Sequence, residues 1–148
     1  MYKFMLTVLS LWTLAATADT AVYEHSSHGT RWLESKDSGI SLKVLVEQAN
    51  LGGSEVEVGE IRFPAGYESR AHVHEVEIFY VLEGKLFHKV NDDEQILTPG
   101  MIGIVRAPDE VVHKAVDGAV TAIVIWPGSG EVQGLSRVWD ERALTEMP

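Results

Sequence analysis

The sequence predicts one all-β domain, a sandwich or barrel, and three observations predict it. Short runs that alternate apolar with polar residues, or are rich in β-branched and aromatic ones, recur between Ile40 and Trp126, at the roughly eight-to-twelve-residue spacing of an all-β domain. Gly, Pro and Asn/Asp clusters separate these runs, as turns separate strands. A chain of 148 residues with 45% apolar content can bury one core and has no room for two.

Taken in order, Lys3 supplies a positive start, Phe4 to Ala16 form an apolar run of about thirteen residues, and Ala16-Thr17-Ala18 offer small residues for cleavage before Asp19. Spanning hydrocarbon takes roughly 20 apolar residues, so residues 1–18 read as a signal peptide rather than an anchor. The expected product is secreted or periplasmic and free of the membrane after cleavage. Residues 19–39 are polar and without period, an N-terminal arm. Ile40, Leu42, Val44 and Val46 alternate with Ser41, Lys43, Leu45 and Glu47, the period of a strand. Val56 and Val58 resume that pattern after Gly52-Gly53, and Ile61 and Phe63 continue it out of phase, which predicts a bulge at Gly59. Pro64-Ala65-Gly66 is a turn. Ile78–Leu82 and Leu86–Val90 read as a hairpin about Glu83-Gly84, and Asn91-Asp92-Asp93 turns the chain into Gln95–Leu97. Pro99-Gly100, Pro108-Asp109 and Asp117-Gly118 set off the strands Ile102–Arg106, Val111–Val116 and Ala119–Trp126. The barrel therefore runs over 40–127, and the tail 128–148 carries one short helix, over Asp140–Glu146.

A net charge of −10, with 12 Lys and Arg scattered among 22 Asp and Glu, excludes a nucleic-acid surface, which needs clustered cations. It also disfavours anionic membranes. There is no cysteine, so thiolate chemistry and sulfur-bound zinc are excluded. No G-x-S-x-G, phosphate loop or H-E-x-x-H pattern is present. A metal ion here must bind nitrogen and oxygen.

His72-Val73-His74 places two imidazoles at i and i+2, on the same face of a strand. Two imidazoles and a carboxylate suit Fe(II), Mn, Ni, Cu or Zn. Glu77 and Glu75 both lie near enough to supply the carboxylate, and both stand at odd separation from the histidines, so residues 74–77 must bend to admit Glu77. Gly66 lies six positions before His72, and Gly84 seven after Glu77. This arrangement resembles the first motif of the cupin superfamily, G-x5-H-x-H-x3,4-E-x6-G, with one residue fewer between His74 and Glu77. Pro108 and His113 keep the spacing of the second motif, G-x5-P-x-G-x2-H-x3-N, while Glu110 and Asp117 stand where that motif has Gly and Asn, and its first Gly is lacking. The resemblance covers about residues 40–127.

The resemblance implies a double-stranded β-helix (jelly-roll) barrel with one divalent ion inside, held by His72, His74, Glu77 and His113; the register to Gly84 favours Glu77 over Glu75. It also implies dimerisation, with segment 19–50 able to exchange a strand with a second copy. Three imidazoles and one carboxylate leave open positions on the ion. A metal-dependent enzyme acting on a small organic molecule is the first expectation, of dioxygenase type, then lyase or isomerase; a non-catalytic sugar- or carboxylate-binding module is the alternative. His88 shares the apolar face of its strand with Leu86 and Val90 and is a candidate general base. Tyr67 and Arg70 are candidates to orient a substrate, as are Arg106 and Glu110. Phe79, Tyr80 and Trp126 read as core packing, and His25 with His28 as a solvated pair in the arm.

Overall fold

A computed structural model describes residues 28–142 and 144. The signal peptide expected over 1–18, the arm as far as residue 27 with His25, and most of 143–148 lie outside the described residues. Nine strands are present among the described residues: β1 (Arg31–Glu34), β2 (Ser41–Val46), β3 (Val56–Phe63), β4 (His72–Val73), β5 (Val76–Val90), β6 (Asp93–Leu97), β7 (Ile102–Arg106), β8 (Glu110–Pro127) and β9 (Asp140–Arg142). Two short helices, α1 (Gln48–Leu51) and α2 (Glu131–Ser136), accompany them.

The two long strands organise the barrel. β5 and β8 run antiparallel from Ile78↔Ile125 to Val90↔Val111, with register shifts between Val81 and Lys85. The early part of β5 pairs with β7 on its other side and the late part with β6. The late part of β8 pairs with β3, and its beginning with β4. Each long strand thus serves two layers. One is β9–β1–β2–β3–β8–β5–β7 and the other β4–β8–β5–β6. The layers meet inside: the Phe79 ring lies 4.7 Å from that of His113 and 5.9 Å from that of Phe63. Fully buried Leu33, Leu42, Val44, Val81, Leu86, Val120 and Val124 fill the rest, each contributing about 1.5–3 kcal/mol through burial. This is the all-β jelly-roll barrel expected from the sequence.

Several local expectations are corrected. Gly84 is not the turn of a hairpin; it is a bulge within continuous β5, with φ +80, and a Cβ there would sit 2.3 Å from the Ala119 carbonyl oxygen. Asp117 (φ +58) and Gly118 (φ +150) likewise bend β8 without ending it. A glycine that breaks a period of two reads the same at a turn and at a barrel corner, and only long-range pairing separates them. The tight connection is Asn91-Asp92, which leaves Val90 opposite Asp93.

The bulge expected at Gly59 falls on the partner strand. Val44 pairs with Gly59 and Val46 with Val58, so Leu45 is the extra residue. Glu57, Gly59, Ile61 and Phe63 all face inward and are buried, so the phase never shifts; the inward row includes a charged residue and a glycine, which masked it. The arm contains β1, whose Leu33 is fully buried. Asp140–Arg142 is a strand, not the start of a helix, because β1 recruits it by Trp32↔Arg142 and Glu34↔Asp140 pairing and by ion pairs from Arg142 to Glu34 (2.8 Å) and Lys36 to Asp140 (2.8 Å). Among the described residues the helix of the tail is α2.

Candidate metal centre

Strand pairing brings the histidines together. β4 sets His72 opposite Val111 of β8, two residues before His113. The chain bends at Glu75, where the backbone carbonyl accepts the Ala107 N–H at 3.0 Å, before β5 begins at Val76. That bend supplies the odd step. Glu77, Phe79 and Val81 then point inward and are buried, whereas Glu75 is exposed. Ring centroids lie 4.8 Å apart for His72 and His74, and 5.5 Å apart for His72 and His113. Glu77 joins them: Oε1 is 3.5 Å from Nε2 of His74, and Oε2 is 3.7 Å from Nε2 of His113.

Two further contacts orient the donors. The Trp126 indole N–H donates to Oε1 of Glu77 at 3.0 Å, which fixes the carboxylate plane. Nδ1 of His72 lies 2.8 Å from the Arg70 carbonyl oxygen. A carbonyl only accepts, so Nδ1 carries a proton and Nε2 is the nitrogen left to act as a ligand.

Burial governs the electrostatics. It pushes the Glu77 carboxyl up to about 7, against the opposing pull of His74 and the Trp126 hydrogen bond, with Glu131 adding to the rise. Burial drives His113 well below the ordinary imidazole value, reinforced by His88, His72 and His74. Burial also lowers His74, but Glu131 and Glu77 outweigh it and the net shift is upward. Glu131 is lowered, chiefly by His74.

The donor set fits a divalent ion. Oε2 of Glu77 and Nε2 of His113 are buried with no hydrogen-bond partner, as is Nε2 of His88. An orphaned buried polar atom costs about 1–3 kcal/mol, and one cation would satisfy the first two together. Three nitrogens and one carboxylate suit Fe(II), Mn, Ni, Cu or Zn. Among the described residues no trio of imidazole and carboxylate groups is drawn in tightly enough to define a metal site by geometry alone.

A cavity of about 200 Å³ opens beside these donors. Of the other sequence candidates, Tyr67 lines it, stacked on Phe63 at 5.1 Å, with its hydroxyl raised by burial. The Arg70 side chain is exposed and does not line it, contributing only its carbonyl. His88 is buried behind His113, 5.3 Å between rings, and is likewise outside the lining; burial lowers its pKa. Arg106 and Glu110 are exposed away from the cavity. Sequence reasoning missed Glu131, Leu135 and Trp139, which enter the lining from the C-terminal segment, and it treated Trp126 as packing alone. A buried indole needs an acceptor, which was the available signal for Trp126; nothing local marked Glu131. A larger open groove of about 760 Å³, with Trp32, Arg62 and Arg142 among its walls, lies on the outer sheet face and contains none of the histidines.

Known proteins agree with this architecture. Residues 55–126 match the family model of the cupin domain. The KdgF protein of a Halomonas species superposes with a TM-score of 0.59 at 16% identity, over 68% of this chain and 91% of its own. An RmlC-like cupin from Shewanella frigidimarina gives 0.59 at 20% identity, over 68% and 86%. A predicted oxalate decarboxylase from Thermotoga maritima gives 0.58 at 16% identity, over 71% and 97%. At such identities the likeness is one of fold. No curated protein matches the sequence. Residues 55–126 match the cupin domain, and the solved neighbours share the fold of the barrel built around it.

Proposed function

We propose that this protein is an exported cupin enzyme that binds one divalent metal ion through His72, His74, Glu77 and His113 and acts on a small organic molecule in the adjoining cavity. One observation carries the reading: Oε2 of Glu77 and Nε2 of His113, both buried and both without a partner, face each other across 3.7 Å. A bound ion would supply Lewis acidity and open positions for substrate and for water or dioxygen. The chain's own groups do the rest. Trp126 holds the Glu77 carboxylate in one orientation. The aromatic and aliphatic walls, Phe63, Phe79, Ile61 and Leu135 among them, exclude water and contact the substrate's carbon skeleton. Tyr67 is the cavity hydroxyl able to give or take a proton from a bound molecule. Dioxygenase chemistry is the first reading of the reaction, and a lyase or isomerase the next. Export rests on the pattern of residues 1–18.

A non-catalytic module that binds a sugar is the second reading, favoured by the indole rings of Trp126 and Trp139 in the wall. Among the described residues the lining has no Lys or Arg, so carboxylate recognition there would depend on the ion. Elemental analysis of the purified protein should find one equivalent of metal in the wild type and none in His113→Ala; equal content in the two removes the assignment. Oxygen uptake by iron-loaded and manganese-loaded protein, screened over small carbonyl and phenolic compounds, separates a dioxygenase from a binder.

A further inference from the structure

The segment after β8 reaches the site from outside the barrel, and a second buried carboxylate sets where it lands. Glu57 faces inward on β3 and is buried. Its Oε1 accepts the Gly130 N–H at 3.2 Å and its Oε2 the Val132 N–H at 3.0 Å. Gly130 is the residue before α2 and has no side chain with which to cap it, so the first backbone donors of the helix are satisfied from β3, the strand paired with the end of β8. Val132 is fully buried beneath. Between these two anchors the half-exposed Glu131 side chain reaches toward His74: its Oε1 lies 3.6 Å from Nδ1 of that ring. The other ring nitrogen, Nε2, faces Glu77 at 3.5 Å. His74 thus stands between two carboxylates, one at each nitrogen.

We infer that Glu131 is a positioning residue of the ion site: from the start of α2 it holds the Nδ1–H of His74, turns Nε2 toward Glu77 and the ion, and is itself fixed by Glu57. The inference rests on the metal-binding reading above and deepens it. A ligand imidazole whose second N–H meets a carboxylate is locked in tautomer and ring orientation and is a stronger base toward the ion. The separation of 3.6 Å exceeds a hydrogen bond, and about half an ångström of closure makes one.

The test compares the wild-type full chain with Glu131→Leu, Glu131→Gln and Glu57→Gln, using Zn²⁺ as the probe ion. Competition against a chromophoric chelator should show Zn²⁺ bound ~10- to 100-fold more weakly by Glu131→Leu, with stoichiometry unchanged. Glu131→Gln keeps an acceptor and should lose less. Glu57→Gln should follow Glu131→Leu in direction, because an amide can accept only one of the two N–H groups and turns its own NH₂ against the other. ¹⁵N NMR of the metal-free protein at alkaline pH gives a readout that a mere helix anchor would not move: the His74 proton sits on Nδ1 in the wild type and shifts toward Nε2 in Glu131→Leu. Wild-type affinity in Glu131→Leu overturns the inference, and so does weakened affinity with an unchanged tautomer, which would leave only a charge effect. If the wild type binds no Zn²⁺, the metal reading falls and the tautomer comparison alone decides the role of Glu131, an unchanged tautomer overturning it. Should Glu57→Gln fail to fold, the half-exposed Glu131 variants still decide.

Discussion

Two glutamates occupy equivalent positions in the barrel wall and live differently. Glu57 on β3 and Glu77 on β5 both point inward, at 5% and 3% exposure. Both oxygens of Glu57 accept backbone N–H groups at the start of α2. Only one oxygen of Glu77 is satisfied, by Trp126; the other ends beside His113 with nothing to accept. A buried carboxylate with both oxygens engaged fastens two parts of a fold. One left half-open beside three imidazoles reserves its second oxygen for a group the chain does not itself supply. Burial alone does not distinguish a strut from a ligand. The census of partners does.

The largest effect that would sharpen this contrast comes from truncating each carboxylate. Glu57→Ala leaves the Gly130 and Val132 N–H groups without acceptors, which should destabilise the protein by about 2–4 kcal/mol while leaving one ion bound at saturating metal. Glu77→Ala should do the reverse: a smaller loss of stability in the metal-free state, from the one Trp126 N–H that it strands, and no bound ion. Chemical denaturation together with metal analysis reads both quantities, and an exchange of the two phenotypes would break the comparison.

A smaller effect follows from protonation. The folded value for Glu77, about 7, lies above the ordinary 4.5. Between those pH values the folded chain holds a proton that the unfolded chain has released, so stability falls as pH rises through the window, and the loss is complete above it. Glu77→Gln cannot ionise. Metal-free Glu77→Gln should therefore gain on metal-free wild type from pH 4.5 to pH 8 by up to about 3 kcal/mol, at 1.36 kcal/mol per pH unit. Burial lowers His88 and His113, so these lose stability as pH falls, but both proteins share them and they cancel in the difference. A flat difference, measured by urea unfolding across the range, would show that Glu77 shares the settled condition of Glu57.

The contrast also explains what could be read from the sequence. The strands were legible because most inward residues are apolar, as with Ile61, Phe63, Phe79 and Val81. The grouping of His72, His74 and His113 was legible because spacing within a motif survives whatever lies between the motifs. Glu57 was not, since a charged residue at an inward position resembles a break in the pattern until its partners are known, and those partners are backbone N–H groups more than seventy positions away. Glu131 was hidden for the same reason: its place depends on Glu57 and not on its neighbours in sequence. Gly84 and Gly118 announced a change of direction, but whether a strand ends or merely turns a corner depends on a partner strand that local pattern does not contain.

The smallest expected effect bears on the choice between Glu75 and Glu77. Glu75 sits in the bend between β4 and β5, with its side chain exposed and its backbone carbonyl held by Ala107. Changing that side chain leaves the carbonyl in place, so Glu75→Gln should alter stability by no more than about 0.5 kcal/mol and leave metal content unchanged. The bend is what matters here, because it converts an odd separation into a shared direction for His74 and Glu77. If Glu75→Gln lost its ion while Glu77→Gln kept it, the bend would have to open in solution and carry the other carboxylate inward, and the half-satisfied oxygen of Glu77 would need another explanation.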